Sequence, residues 1–374
     1  MAASETPQTA RPSSDPLPVR ACGSGDRALQ AELFNACFKK RVDAEALAWR
    51  YDRSPHGASV SFVTLAPDGR AVSGYASSPR RAVPFGDEAR AAPIGETGDV
   101  MTHPDWRKRG LFSALDAAAR ERTRTLGWPV MFGLPNHRSA HIFLELGWER
   151  VGTIRTLAAV LRADSGARSA RRKDGRLAAL RTPVDALRLA VARRALRRAA
   201  GGRFTVRTLE AFPPEVQELS RSIEPEFALM ARRDRTWLEW RFLKTPSRLH
   251  RAYGVYDETG DFRGYVVLQL PRAGESVGWV TDLLVRGDEA RAAALEAAFE
   301  FLLALGASVA QASAIDGSWW ARVLRGAGFR PARPGAELAV IAWVNDPGHP
   351  LARAARDASQ WYLTDGDRDD ETVG

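Results

Sequence analysis

The stretch Asp99-Val100-Met101-Thr102-His103-Pro104-Asp105-Trp106-Arg107-Lys108-Arg109-Gly110-Leu111-Phe112-Ser113-Ala114-Leu115 decides how this chain folds. It reads as a strand, a turn marked by Pro104, a basic loop closed by Gly110, and a helix whose apolar spacing runs Leu111, Leu115, Ala118, Ala119. A helix that starts at Leu111 points its unpaired N–H groups and the positive end of its dipole into the loop, which makes a ready anion site. Gly110 lets the backbone come close to a phosphate. Arg107, Lys108 and Arg109 add positive charge.

About 25 residues further on stands Gly133-Leu134-Pro135-Asn136-His137-Arg138-Ser139-Ala140-His141-Ile142-Phe143-Leu144-Glu145-Leu146-Gly147-Trp148. Asn136 suits a helix N-cap, and Gly147 suits the stop. An apolar strand, Pro-x-x-Arg-x-x-Gly and a helix, followed by an Asn-opened helix ending before a Gly-aromatic pair, resembles the coenzyme A-binding segments of the GNAT superfamily of acyl-CoA-dependent N-acyltransferases. Pro104, Arg107 and Gly110 fall on that pattern. The resemblance covers roughly residues 25 to 160. It implies acetyl-CoA as acyl donor, held by Met101, Thr102, Arg107, Lys108, Arg109, Gly110, Leu111, Phe112, Asn136 and Phe143. Two positions depart from the pattern. Phe112 is bulky where the family loop carries a small residue. Phe143 stands where the family often has a tyrosine that protonates the departing thiolate, and no tyrosine occurs between Tyr75 and Tyr253.

The chain also repeats itself. Leu47-Ala48-Trp49-Arg50-Tyr51 followed by Ser54-Pro55 returns 191 positions later as Leu238-Glu239-Trp240-Arg241-Phe242 followed by Thr245-Pro246. Each copy leads through a polar turn, Pro67-Asp68-Gly69-Arg70 or Asp257-Glu258-Thr259-Gly260, into an apolar run, as a hairpin does. Gly98-Asp99-Val100-Met101 is echoed by Thr281-Asp282-Leu283-Leu284, and Leu146-Gly147-Trp148 by Ala327-Gly328-Phe329. A duplicated unit of about 150 residues accounts for this. The expected fold is α/β, as an α+β mixed sheet, in two tandem GNAT-like domains. Its parts are a disordered tail at 1–24, an acetyl-CoA-binding domain at 25–160, a basic linker with a helix at 161–202, a degenerate GNAT-like domain at 203–345 and a C-terminal tail at 346–374. The degeneracy is read from Arg286-Gly287-Asp288-Glu289-Ala290-Arg291-Ala292-Ala293, which stands where the first copy has its basic loop. Two acids there would repel a pyrophosphate, and no glycine is expected to open the helix. One cofactor site per chain follows, with the second unit as buttress or substrate wall. Leu180, Val184, Leu187 and Val191 give the linker a helical stripe.

The resemblance implies that an amine attacks the thioester carbonyl directly. The backbone N–H groups near Met101 and Thr102 would polarise that carbonyl, and a general base would take the ammonium proton. Base candidates are Glu96, Asp99, His103, His137 and His141. Glu96, His137 and Asp99 are the expected catalytic residues, although Asp99 has a counterpart, Asp282, in the copy without a loop, which points to a structural role as well. Trp49-Arg50 and Trp240-Arg241 read as packing elements for the same reason. Trp361-Tyr362-Leu363 is an apolar knot in a polar tail, and it could fold back to lend Tyr362 to a site.

Composition bounds the alternatives. The chain has 374 residues, a net charge of +9 and two cysteines, Cys22 and Cys37. That is no disulfide framework, so a reducing cytoplasm is expected. No run approaches the length needed to span a bilayer, and no Cys/His spacing suggests a metal. The arginines of the linker lack aromatic neighbours for base stacking, so no specific nucleic acid is expected. The expected partner is a small-molecule amine, an amino sugar or an amino-acid-like acceptor. The alternative is a catalytically silent acyl-CoA-binding or scaffold protein.

Overall fold

The structure is a computed structural model that describes residues 17–173, 180–333 and 337–368. Strand β1 (Val19–Ala21) and helices α1 (Arg27–Cys37) and α2 (Ala44–Asp52) precede the first hairpin, β2 (Val60–Leu65) and β3 (Ala71–Val83). Gly69 turns that hairpin at φ +84°, a left-handed backbone that glycine adopts without steric cost. Then come β4 (Ala92–Thr102), α3 (Leu111–Thr125), β5 (Val130–Gly133), α4 (His137–Glu145) and the long β6 (Glu149–Val160). Helices α5 (Ser165–Lys173) and α6 (Thr182–Ala200) form the linker. The second half begins with β7 (Phe204–Leu209), α7 (Val216–Ile223), β8 (Leu229–Ala231) and α8 (Arg235–Leu238). It continues with β9 (His250–Asp257), β10 (Phe262–Gln269), β11 (Val277–Val285), α9 (Asp288–Ala304), β12 (Val309–Ile315) and α10 (Trp319–Gly326). The short β13 (Arg330–Pro331), β14 (Leu338–Val344), α11 (Pro350–Ala354) and β15 (Trp361–Tyr362) close the chain.

One mixed sheet runs through the molecule in the order β1-β2-β3-β4-β5-β14-β6-β12-β11-β10-β9-β7. Its continuity comes from an exchange. β14, from the end of the chain, enters the first half between β5 and β6. β6 pairs with β14 over Glu149–Ile154 and then crosses to pair with β12 over Ile154–Val160. Each half therefore completes the other's ladder. The expected boundary at 345, which keeps β14 with the second unit, is corrected: in space that strand belongs to the first.

Both presumed tails are corrected in part. Val19–Ala21 pairs with Phe62–Thr64, so the ordered fold starts before residue 25; residues 1–16 of the expected tail lie outside the described residues. At the other end, Trp361 and Tyr362 are 1% and 2% exposed. The Trp361 indole donates to the Ala354 carbonyl and stacks edge-on against Phe132. Burial of an aromatic pair of this size opposes the entropy cost of ordering the segment.

The halves also meet through their repeated Trp-Arg elements. Trp49 and Trp240 stack at 4.5 Å, and the Trp240 indole donates to the Trp49 carbonyl. The linker helix differs from expectation. Its inner face is Leu189, with Leu196 packed behind it, and the stripe Leu180, Val184, Leu187 and Val191 faces outward. Much of its basic character is matched by acids, as Arg193 and Arg197 pair with Glu296 and Glu300 on α9.

Candidate acyl-donor and acceptor site

β4 and β5 run parallel and pair only at Gly95–Met131, Glu96–Phe132 and Thr97–Gly133. Beyond that, β4 follows β3 to Thr102 while β5 ends, and the sheet splays open. A bulge marks the opening. Gly74 faces Met101 and Ala76 faces Gly98, which leaves Asp99 and Val100 opposite Tyr75. Asp99 takes φ +46°, a conformation that aspartate tolerates better than most residues. Its carboxylate is held by the Arg50 guanidinium and the Tyr51 hydroxyl. The bulge displaces one residue from the ladder and bends the strand end.

The loop after β4 sits at the mouth of the splay. His103 caps a short turn at Pro104–Trp106. Lys108 and Gly110 take left-handed backbones, φ +63° and +73°, and Gly110 is the N-cap of α3. The first turn of α3 carries no acid, so its dipole end and free amides face the cleft without a competing carboxylate. The Arg109 guanidinium lies 4.5 Å from the Trp106 ring centre, and Arg107 donates to the Thr102 carbonyl. A Cβ at Gly110 would stand in open space, so this residue is required by its backbone angle rather than by crowding. α3 is fastened to the sheet by buried Asp116, which takes hydrogen bonds from Trp148 and Tyr75 and an ion pair from Arg120. Burial pushes the Asp116 carboxyl up from its ordinary value.

The opposite wall is α4. Asn136 caps it by accepting from the amides of Arg138 and Ser139 at 2.9 and 3.2 Å. Phe143 is 3% exposed and meets Phe112 and Trp148 edge-on, each at 5.0 Å. The two departures noted in the sequence thus pack on one another. A ring with no hydroxyl fits this cluster without needing a polar partner.

Two neighbouring cavities result. The first, about 890 Å³, contains Met101, Thr102, the loop Trp106–Gly110, Leu111, Phe112, Asn136 and His137. The second, about 500 Å³, contains Glu96, Asp99, Arg50, Phe143, Lys39 and Lys40, with Leu338 of β14 and Arg368 from the end of the chain. Phe38, Val100, Asn136 and Ser139 border both. All ten residues expected at the donor are brought to these cavities.

The base candidates separate. Glu96 and Asp99 face the second cavity, whereas His137 and His141 line the first, and His103 is spent as a cap. His137 therefore stands at the first cavity and not at the second. Glu96 is 5% exposed and ion-paired with buried Arg80. Tyr362 does not reach the site, since its hydroxyl donates to the Leu283 carbonyl inside the second half. Arg368 and Leu338 do reach it. Sequence reading missed both, because they arrive by strand exchange and by the return of the C-terminal segment. Among the described residues no group of three or more His, Cys, Asp or Glu is placed to hold a metal ion, and no helix is long and apolar enough to cross a membrane.

The second half has the same frame with different contents. β11 and β12 pair from Val277–Val309 to Trp279–Gln311 and then part. A bulge at Thr281 precedes Asp282. Only two residues join β11 to α9, where eight join β4 to α3. Gly287, at φ +88°, caps α9, which corrects the expectation that no glycine opens this helix. What is missing is the length and charge of the loop. Asp288 and Glu289 occupy the first turn and pair with Arg291 and Arg203. The open end of the splay is filled by residues 361–368. Asp365 accepts from the Ser313 amide at 2.5 Å, and Arg241, the counterpart of Arg50, donates to the carbonyls of Gly366 and Arg368.

Comparison with known proteins agrees with this geometry. Residues 18–151 match the family model described as an acetyltransferase (GNAT) domain. No curated protein matches the sequence. Among solved structures, a protein from Enterococcus faecalis V583 described as a probable N-acyltransferase is 12% identical, with a TM-score of 0.59 over 89% of this chain and 73% of that one. A GCN5-related N-acetyltransferase from Anabaena variabilis is 11% identical, with a TM-score of 0.59 over 88% and 73%. A tandem GNAT protein from the clavulanic acid biosynthesis pathway is 16% identical, with a TM-score of 0.52 over 89% of this chain and all of that one. The family match lies in residues 18–151, and over nearly nine-tenths of its length the chain has the fold of these solved structures.

Proposed function

We propose that this GNAT-domain chain is an N-acetyltransferase that moves an acetyl group from acetyl-CoA to a primary amine of a small molecule, an amino sugar or an amino-acid-like acceptor, by direct attack. The observation that carries the reading is the acid-free N-terminus of α3 with its arginine loop, opening onto a splayed β4/β5 pair that leads into a second cavity. The donor set fits coenzyme A. Backbone amides and exposed Arg107, Lys108 and Arg109 suit its phosphates, and the splay suits an extended arm. When bound, acetyl-CoA supplies the activated acyl group. The chain's own residues hold the phosphates at the loop and offer the backbone of Met101 and Thr102 to the carbonyl oxygen. Asp99 and Glu96 face the second cavity and are the carboxylates that would take a proton from the acceptor's ammonium, directly or by water, so that the neutral amine forms the amide bond as the thioester C–S bond breaks and coenzyme A leaves as its thiolate. Asp99 reaches the cavity only because the bulge turns it there, so its structural and proton-accepting roles are compatible.

The second half offers no acid-free loop, so one donor site per chain is proposed. The competing reading, a silent acyl-CoA-binding protein, draws on Phe143 and on the ion pair that engages Glu96. Calorimetric titration of the full chain with acetyl-CoA, followed by an amine screen, tests both. One binding site and turnover of any amine supports the enzyme. Binding with no turnover across the screen supports the silent protein. No binding removes the donor reading altogether.

A further inference from the structure

Helix α6 has two unlike faces. Toward the protein, Leu189 is buried, and Arg193 and Arg197 reach Glu296 and Glu300 on α9 at 2.6 and 2.9 Å. Away from it, Leu180, Val184, Leu187 and Val191 are 77%, 51%, 68% and 66% exposed. These four are spaced by four, three and four residues. Arg181, ahead of the helix, keeps a helical backbone at φ −83° and ψ −2°, so Leu180 continues the row. Valine then occupies the a positions and leucine the d positions of a heptad, the choice that suits a two-stranded seam. Arg181 and Arg188 fall at e, flanking the row, and Arg194 and Arg198 end it. A contiguous aliphatic row on a soluble surface marks an interaction site more often than a single exposed leucine does.

We propose that this face docks a helix of another protein, apolar along one stripe and carboxylate-bearing along its flanks, as the second strand of a short helical seam. Charge selects the occupant. In an antiparallel pair a second copy of α6 would set the e-position arginines Arg181 and Arg188 against their own kind, and in a parallel pair Arg188 would meet Pro183 at g, which offers no carboxylate. An acidic helix would neutralise them. The inner face of α6 already shows that pairing, since Arg193 and Arg197 grip two glutamates one turn apart on α9. A lipid surface is less well matched, because the row is a narrow a/d stripe with no aromatic side chain, whereas interfacial helices present a broad apolar face.

The test uses the full chain and a synthetic helical peptide of about three heptads with Val at a, Leu at d and Glu at e and g, beside a twin with Lys at e and g. Fluorescence anisotropy is expected to show the Glu peptide binding at least about tenfold more tightly than the Lys twin. Leu187→Asp should weaken it at least about tenfold, and the double variant Arg181→Glu/Arg188→Glu should reverse the preference. Thermal midpoints equal to that of the unmodified chain confirm that these variants fold. Equal binding of the two peptides, no binding of either, or indifference to Leu187→Asp would overturn the proposal. So would Leu187-dependent self-association in sedimentation, or Leu187-dependent binding to phosphatidylserine vesicles.

Discussion

The two halves share a frame and differ in what enters the splay. In the first half, β4 and β5 part around space, and an eight-residue basic loop leads to a helix end with no acid in its first turn. In the second, β11 and β12 part around the chain's own residues 361–368, and two residues lead to a helix end already matched by Asp288 and Glu289. Bulge, aspartate and Trp-Arg element persist in both. Elements that survive in the half whose splay is filled serve the frame there, and in the open half Asp99 is proposed to accept a proton as well. The eight-residue basic loop, with the cavities it borders at the open splay, carries the proposed chemistry.

The largest expected effect is on the filled side. Arg233 is fully buried between Asp282 and Asp367. Asp367→Ala should therefore cost about 3–5 kcal/mol of stability, the usual result of removing one partner of a buried ion pair, read as a lower midpoint in urea unfolding. In the open half, Asp99 is less enclosed, at 10% side-chain exposure. Asp99→Ala is expected to cost less stability than Asp367→Ala and to lower turnover in an acetyltransferase assay. If it costs as much stability and leaves turnover intact, the two aspartate sites are alike and the comparison breaks.

Next in size is the donor loop. Arg107→Glu should weaken acetyl-CoA binding about 10–100-fold in calorimetry, as expected for loss of a charge-assisted contact and gain of a repulsive one. The matched change Arg286→Glu in the short connection of the second half should leave that affinity unchanged. An equal loss in both would place the donor elsewhere.

Phe143→Tyr introduces a hydroxyl into the cluster of Phe112 and Trp148. A cost of about 1–3 kcal/mol is expected from burying it without a partner, measured by thermal unfolding. A rise in turnover despite that cost would show that a proton donor at this position limits the reaction.

The smallest effect concerns a contact between halves. Glu88 pairs with Arg232, and the guanidinium holds its carboxyl down at about 2 against an ordinary 4.5. Because the folded value is the lower one, this pair stabilises above pH 4.5 and the benefit fades as pH falls toward about 2. The carboxylate is largely exposed, so the contribution is less than about 1 kcal/mol. Glu88→Gln should flatten the acid limb of the stability profile by that small amount.

Local chemistry made much of this legible in the sequence. Pro104, Gly110, Asn136 and Gly147 act within a few residues of themselves: a turn, a left-handed cap, a side-chain cap and a helix stop. Their spacing alone placed the loop, both helices and the strand before them, and the repeated Trp-Arg element disclosed the duplication. The tertiary structure decided the rest. Nothing in β14 distinguishes the sheet it will join, since an apolar strand pairs with whichever edge has free N–H and C=O groups. The row on α6 reads in the sequence as a helical stripe, and that it faces outward is decided by α9, which takes the other side of the helix. Arg368 reaches the second cavity because the buried Trp361 and Tyr362 tie the returning C-terminal segment to the sheet. Caps and turns are fixed by neighbours along the chain, whereas strand exchange, the facing of a helix and the return of a terminus are fixed by surfaces that exist only after both halves have folded.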